Sequence, residues 1–99
     1  MPSFIVHHDG YFFEWSTVSD GPTTHAMTRE EFEAYYREEY GREGLATLPN
    51  RLERAIRNGT SARDEMSARD LVFGNRAGVR EGELPFKKVI KLVHSRRAP

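Results

Sequence analysis

An Asp-Gly pair at positions 9 and 10 separates two runs of β-forming residues, FIVHH and YFFEW, and restricts the fold more than any other feature of the sequence. Asp-Gly between such runs predicts a two-residue hairpin turn, because a type I′ turn needs positive φ at both central residues. The predicted hairpin spans residues 3–18. The turn also fixes its register, in which the facing pairs are His8 with Tyr11, Val6 with Phe13 and Phe4 with Trp15.

Side-chain alternation divides the hairpin into an apolar face and a mixed face. The apolar face, which we expect to be buried, carries Phe4, Val6, His8, Tyr11, Phe13 and Trp15. The mixed face carries Ile5, His7, Phe12 and Glu14, and on it we expect Glu14 to face solvent and His7 to be half exposed. A lone hairpin is only marginally stable in water, so other elements must cover its apolar face. Because the two histidines point to opposite faces, they do not form a metal site, and the sequence predicts no metal ligands.

Two helices are predicted between the hairpin and residue 60. The motif TREE forms a capping box, and the amphipathic stretch after it predicts a helix over residues 29–40 that stops at Gly41. The stretch LPNRLERAIRN predicts a second helix over residues 48–58, with Pro49 in its first turn.

Two further helices are predicted in the C-terminal part of the chain. Ser67 can cap a short helix over residues 68–73, and a glycine-rich loop follows it. Residues 85–94 place apolar side chains at i, i+3, i+4 and i+7, which predicts a helix. Their β-branched content leaves a strand as the alternative. The sequence thus predicts one α+β domain, residues 1–99, in which an N-terminal β-hairpin packs against three to four short helices.

Composition and motifs argue against an enzyme. The chain has no cysteine, which excludes a disulfide framework, a thiolate metal site and a cysteine nucleophile. No serine lies in a G-x-S-x-G motif, and GNRAG at 74–78 lacks the lysine and serine of a phosphate-binding loop. No apolar run approaches about 18 residues, so no membrane span is expected. We therefore predict a non-enzymatic protein with no catalytic residue and no cofactor.

Charge is divided unequally between the two halves of the chain. Residues 1–44 hold nine acidic residues and three arginines, a net charge of −6, whereas residues 45–99 hold twelve basic and six acidic residues, a net charge of +6. Such asymmetry indicates either a charged partner or pairing of the two halves with each other. If the basic half is free, it offers a face for nucleic-acid phosphates, formed by Arg51, Arg54, Arg57, Lys87, Lys88 and Lys91.

An aromatic stripe on the first predicted helix indicates a second kind of surface. Four aromatic residues within nine positions exceed what one narrow helix face can bury, and tyrosine is a preferred anchor of protein interfaces. Glutamates flank this stripe and suit a basic partner. The predicted protein-binding residues are Tyr35, Tyr36, Glu38 and Glu39, together with His7 and Phe12 from the mixed face of the hairpin.

The run YFFEWSTVSDGPTTHAMTREEFEAYYREEYG, residues 11–41, resembles a group of short, uncharacterised proteins of tailed phages and prophages. The resemblance continues through LPNRLERAIRNGTS at 48–61 and GNRAG at 74–78, and it departs at SDGP and at the basic C-terminus. It carries no catalytic residue. It implies an accessory protein of the host bacterial cytoplasm that binds and inhibits or redirects a host protein or ribonucleoprotein complex. An anti-defence role, similar to that of anti-CRISPR proteins, is its most specific form.

Overall fold

The computed structural model describes residues 3–97 and confirms an α+β fold. The strands are β1 (Ser3–His8), β2 (Tyr11–Ser16) and β3 (Gly21–Pro22), and they form one antiparallel sheet in the order β1-β2-β3. Within residues 3–97 the helices are α1 (Arg29–Asn58), α2 (Ala68–Val72) and α3 (Phe86–Ser95), with a 3-10 turn at Val79–Glu81. None of these helices combines the length and apolar character that crossing a membrane requires.

The hairpin has the predicted turn and register. Asp9 and Gly10 take positive φ values of 50° and 82°, as a type I′ turn requires. The facing pairs include Phe4 with Trp15, Val6 with Phe13 and His8 with Tyr11. The second strand ends at Ser16 rather than at residue 18, and the chain then turns back to form β3. A two-residue strand inside a turn-rich stretch has no alternating pattern, so the sequence predicted only a loop there.

The sheet is the middle layer of the molecule, with helices on both faces. Helix α1 covers the face of Ile5 and Phe12, whereas α2 and α3 cover the face of Val6, Phe13 and Trp15. The expectation that Glu14 faces solvent was therefore wrong, since it is only 3% exposed, whereas His7 on the same face is partly exposed as expected. The physical reason is that both segments of α1 pack on this face, with Phe32 and Tyr36 before Gly41 and with Leu48, Leu52 and Ala55 after it.

Both edges of the sheet are occupied by backbone hydrogen bonds. Along the outer edge of β1, His7 N–H donates to the carbonyl of Gly59 at 2.9 Å, and Ser61 N–H donates to the carbonyl of Ile5 at 2.9 Å. On the other side, Phe12 and Met27 exchange two backbone hydrogen bonds of 2.7 and 2.8 Å. These contacts satisfy edge groups that would otherwise invite pairing with another chain. They also place the segment after α1 beside the start of β1.

Helix α1 consists of two helical segments joined by a kink at Gly41, so the first predicted helix ends where expected, whereas the second begins directly after Gly41 rather than at residue 48. Its start is as predicted, because Thr28 and Glu31 form the capping box. Gly41 interrupts it with φ 66° and ψ −155°, a backbone conformation that only glycine adopts without strain. The helix resumes directly after Gly41, because the next residues are mostly helix formers and Leu45 and Leu48 pack into the core. Pro49 consequently lies inside α1 and not in a first helical turn.

Replacing Gly41 by alanine is expected to destabilise the fold. In a regular helix, Gly→Ala stabilises by about 1 kcal/mol. At Gly41 the positive φ reverses the sign, and we expect a loss of about 2 kcal/mol from the free energy of unfolding. Urea unfolding of Gly41→Ala measures this, with Arg42→Ala as the neighbouring exposed control, expected within about 0.5 kcal/mol of the parent. A stabilised Gly41→Ala variant would contradict the kink.

The C-terminal part also follows the helical prediction. Helix α3 rather than a strand forms at Phe86–Ser95, and it buries Val89 and Val93 against the sheet. The loop between α2 and α3 is fixed by buried Asn75, whose amide nitrogen donates to the carbonyls of Val72 and Leu84 at 2.8 Å each. Its side-chain oxygen accepts from the backbone N–H of Ala77 and Leu84. The GNRAG segment is therefore a loop closed by its own asparagine.

Candidate functional site

An open cleft of about 670 Å³ lies beside the start of β1. One wall is the C-terminal half of α1, and the other is the segment after α1 that pairs with the edge of β1. Its lining includes Ser3, Phe4, Arg51, Arg54, Arg63 and Asp64. We call this cavity the arginine cleft.

Two of the three arginines of the cleft are held by neutral groups. Arg51 donates to the Tyr36 hydroxyl and, at 3.1 Å, to the backbone carbonyl of Ser3. Arg54 donates through Nε to the backbone carbonyl of Ser61 at 3.0 Å. Within the described chain, residues 3–97, no carboxylate lies within ion-pair distance of any of the three cleft arginines. The positions of Arg51 and Arg54 are thus fixed by hydrogen bonds, and the positive charge of all three arginines has no direct ion-pair partner in this part of the chain.

Other arginines of the chain lie within ion-pair distance of a carboxylate. Arg97 pairs with Glu31 at 2.8 Å and Arg76 pairs with Asp20 at 3.3 Å, so part of the charge asymmetry between the two halves is compensated internally. Arg57 lies 4.0 Å from Glu53 on the same helix. The cleft arginines belong to the positive charge that is left after these pairs.

The predicted nucleic-acid residues do not form a single surface. Arg51 and Arg54 line the cleft, but Arg57 is exposed and does not. Lys87, Lys88 and Lys91 lie on α3, which packs on the opposite face of the sheet from α1. The sheet thus separates the two halves of the predicted basic face. Arg63 and Phe4 join the cleft instead, because pairing of the chain after α1 with β1 brings them there.

The predicted protein-binding surface also needs correction. Tyr36 and Phe12 are each only 3% exposed and belong to the core under α1, so neither is available to a partner. His7 is partly buried with its ring 4.8 Å from that of Phe12, and burial lowers its pKa. Tyr35 is half-buried. Glu38 and Glu39 are exposed on the outer side of α1.

A buried carboxylate is the polar feature that sequence reasoning missed. Glu14 Oε1 accepts hydrogen bonds from the Tyr35 hydroxyl at 2.7 Å and the Tyr40 hydroxyl at 2.9 Å, and its Oε2 accepts from Tyr40 at 2.8 Å. The contacts tie the middle of β2 to the tyrosine stripe of α1. The only available signal was the combination of a charged residue between Phe13 and Trp15 with more tyrosines than one helix face can bury. The three groups border a second cavity of about 220 Å³.

The contacts with Glu14 predict unusual alkaline titration of the tyrosines. Burial, and next the hydrogen bond to Glu14, raises the pKa of Tyr40 from 10.0 to about 12 and raises the pKa of Tyr35 further. The folded state therefore retains protons that the unfolded state loses, so this contribution to stability is present below pH 10 and is lost as the pH rises toward 12.

Ultraviolet titration of phenolate formation tests this. In the parent protein, Tyr40 is expected to ionise near pH 12. In Glu14→Gln, its pKa is expected to fall only part of the way toward 10, because burial remains as the larger cause. Tyr40→Phe identifies the component of the titration curve that belongs to this residue. An unchanged titration curve in Glu14→Gln would contradict the assignment.

Within residues 3–97, no group of three or more His, Asp or Glu side chains lies close enough together to hold a metal ion. No protein-family model, curated protein or solved structure matches the chain.

Proposed function

We propose that this chain is a non-enzymatic binding protein and that its arginine cleft takes up the phosphate backbone of a nucleic acid. The observation that carries the proposal is the convergence of Arg51, Arg54 and Arg63 on one open cavity without a carboxylate partner from residues 3–97. Surface arginines usually find a carboxylate or point to solvent. Here two of them are instead oriented by backbone and hydroxyl oxygens, which leaves other guanidinium N–H groups for a ligand.

The chemistry of the cleft suits phosphate. Guanidinium groups present planar pairs of donors that match phosphate oxygens, and they retain their charge at any physiological pH. Phe4 contributes a partly exposed ring at the same cavity. Positive grooves with aromatic side chains are typical of proteins that bind single strands, since every base can stack on a ring. A single strand of nucleic acid is therefore the proposed ligand.

Fluorescence anisotropy with labelled single strands of about 16 nucleotides tests this function. We expect saturable binding of the wild-type protein at about 50 mM salt and a steep loss of affinity by about 200 mM, since phosphate binding releases counterions. Duplex DNA of the same length should bind more weakly, because its bases are not free to reach Phe4. Absence of binding to single strands at the lowest salt concentration would overturn the proposal.

A second candidate function is binding to a host protein or ribonucleoprotein complex in the host bacterial cytoplasm, with inhibition or redirection of that complex as the result. The resemblance to phage proteins supports the context, including an anti-defence role similar to that of anti-CRISPR proteins. The observation that favours this function is that Glu38 and Glu39 are exposed on the outer side of α1 and form no ion pair within residues 3–97.

Affinity purification from bacterial lysate tests this second function. The wild-type chain is expected to retain a stoichiometric partner, identified by mass spectrometry, that the double variant Glu38→Lys/Glu39→Lys does not retain. Glu65→Lys, a charge reversal at an exposed position outside α1, should leave the partner bound. A partner retained equally by all three chains would place the interface elsewhere and would count against the acidic surface of α1.

A further inference from the structure

The cavity beside Glu14 has features that the hydrogen bonds between Glu14 and the two tyrosines do not require. We call it the tyrosine pocket. It measures about 220 Å³, and its lining includes Glu14, Tyr35, Tyr40, Val18 and Thr23. The rings of Tyr35 and Tyr40 stand nearly perpendicular, at 89°, with their centroids 6.5 Å apart. Two rings at right angles and a carboxylate thus enclose one small space.

The charge of Glu14 is not matched by a cation. Its side chain is 97% buried by the fold, since only 3% remains exposed, yet within the described residues no lysine, arginine or histidine pairs with it. Two neutral hydroxyls hydrogen-bond to its oxygens. A carboxylate offers about four acceptor positions, and burying one without a cation is costly. The site is thus complementary to a positive charge.

We propose that the tyrosine pocket binds an organic ammonium group, which lies against the two tyrosine rings with its charge directed at Glu14. Aromatic faces attract such cations through their quadrupole, and desolvated sites strengthen the attraction. The volume is below the roughly 300–1,000 Å³ of pockets for drug-sized ligands, so the ligand is a small amine or the end of one side chain. A single carboxylate with two neutral phenols suits this soft cation better than a metal ion, which needs several oxygen ligands.

The proposed ligand does not depend on the arginine cleft. Ser3 borders both cavities, but the cleft presents arginines, whereas the tyrosine pocket presents a carboxylate. A failure of nucleic-acid binding therefore leaves the ammonium site untouched, and the reverse also holds.

Nuclear magnetic resonance titration of the full chain tests the site. The probes are choline chloride, 3,3-dimethylbutan-1-ol as its neutral isostere, and an acetylated, amidated Gly-Lys-Gly peptide, each at matched ionic strength. We expect saturable shifts for choline or for the peptide at backbone amides lining the pocket, among them Ser16 and Thr23. The tighter of the two identifies the source as a small amine or a lysine side chain. Equal shifts with the neutral alcohol, or no saturable shift with either cation, would overturn the proposal.

Variants separate binding from folding. Glu14→Gln removes the charge and is expected to weaken binding at least about tenfold, provided that its spectrum remains that of a folded chain. Val18 lies at the mouth of the pocket and is 70% exposed, so substitutions there do not disturb the core. Val18→Lys supplies a competing ammonium group and should weaken choline binding, whereas the matched Val18→Gln should not. Equal affinities in Val18→Lys and Val18→Gln, with the wild-type chain binding choline, would place the cation outside this pocket and overturn the assignment.

Discussion

Replacement of Glu14 by alanine should lower the free energy of unfolding by about 2 to 3 kcal/mol, measured by urea denaturation at pH 7. The carboxylate accepts the hydroxyl hydrogens of Tyr35 and Tyr40 in a largely buried setting. Alanine leaves both hydroxyls without their acceptor, and a hydrogen bond to a charged group contributes about 1.5 to 3 kcal/mol. The expected loss is less than the sum of two such bonds, because alanine also removes the cost of burying the carboxylate charge. Removing the carboxylate alone costs more stability than replacing the carboxylate and both tyrosine hydroxyls by apolar groups would cost.

Comparison with further variants separates the hydrogen bonds from simple loss of side-chain volume. Glu14→Gln keeps an acceptor and should be milder than Glu14→Ala. In a background of Tyr35→Phe/Tyr40→Phe, Glu14→Ala should cost clearly less, because the hydroxyls that need the carboxylate are gone. Glu38→Ala is the matched control on the surface of α1, expected within about 0.5 kcal/mol of the parent. A Glu14→Ala variant as stable as Glu38→Ala would contradict the described contacts.

Neutralising the arginine cleft should reduce single-strand affinity by about 100-fold at low salt. The triple variant Arg51→Gln/Arg54→Gln/Arg63→Gln removes three charges that the cleft brings together, and each phosphate contact contributes on the order of 1 kcal/mol. The matched control is Lys87→Gln/Lys88→Gln/Lys91→Gln, which removes the same charge from α3 on the other side of the sheet. The control should change affinity by no more than about threefold, because these lysines would act on the nucleic acid only through long-range electrostatic attraction, which salt screens.

A structural effect of the triple variant can be distinguished from a binding effect. Arg51 and Arg54 also hydrogen-bond within the fold, so their loss lowers stability to some extent. Arg63 is exposed and has no such contact in the described chain, and Arg63→Gln alone should weaken binding several-fold with an unchanged unfolding transition. If Arg63→Gln and the lysine control weakened binding equally, the cleft would not be the binding site.

The local features of the fold could be predicted from the sequence because short-range chemistry determines them. The Asp9-Gly10 turn, the register of the hairpin and the capping box at Thr28 depend on residues a few positions apart. The start of the second segment of α1 directly after Gly41 could not be predicted in this way. Gly41 ends the first segment as predicted, but the residues directly after it are also helical, and Leu45 among them packs against a core that the local sequence does not reveal.

The sites were less predictable for the same reason. Arg51 and Arg54 share a helix face and could be proposed from spacing, but Arg63 reaches them only through the pairing of the chain after α1 with β1. From the sequence, Glu14 was predicted to be a solvent-facing strand charge, since nothing near it in sequence indicates that α1 will cover that face. Its tyrosine partners lie 21 and 26 positions away. Interactions at this range depend on the tertiary arrangement.

The most direct test of the proposed function is the salt dependence of single-strand binding in three chains: wild type, the triple cleft variant and the triple lysine variant. For three phosphate contacts, the slope of log K against log salt concentration should be about −2 in the wild type. We expect this slope to move toward zero in the cleft variant and to be retained in the lysine variant. A slope retained in the cleft variant and lost in the lysine variant would contradict it, because binding would then lie on α3.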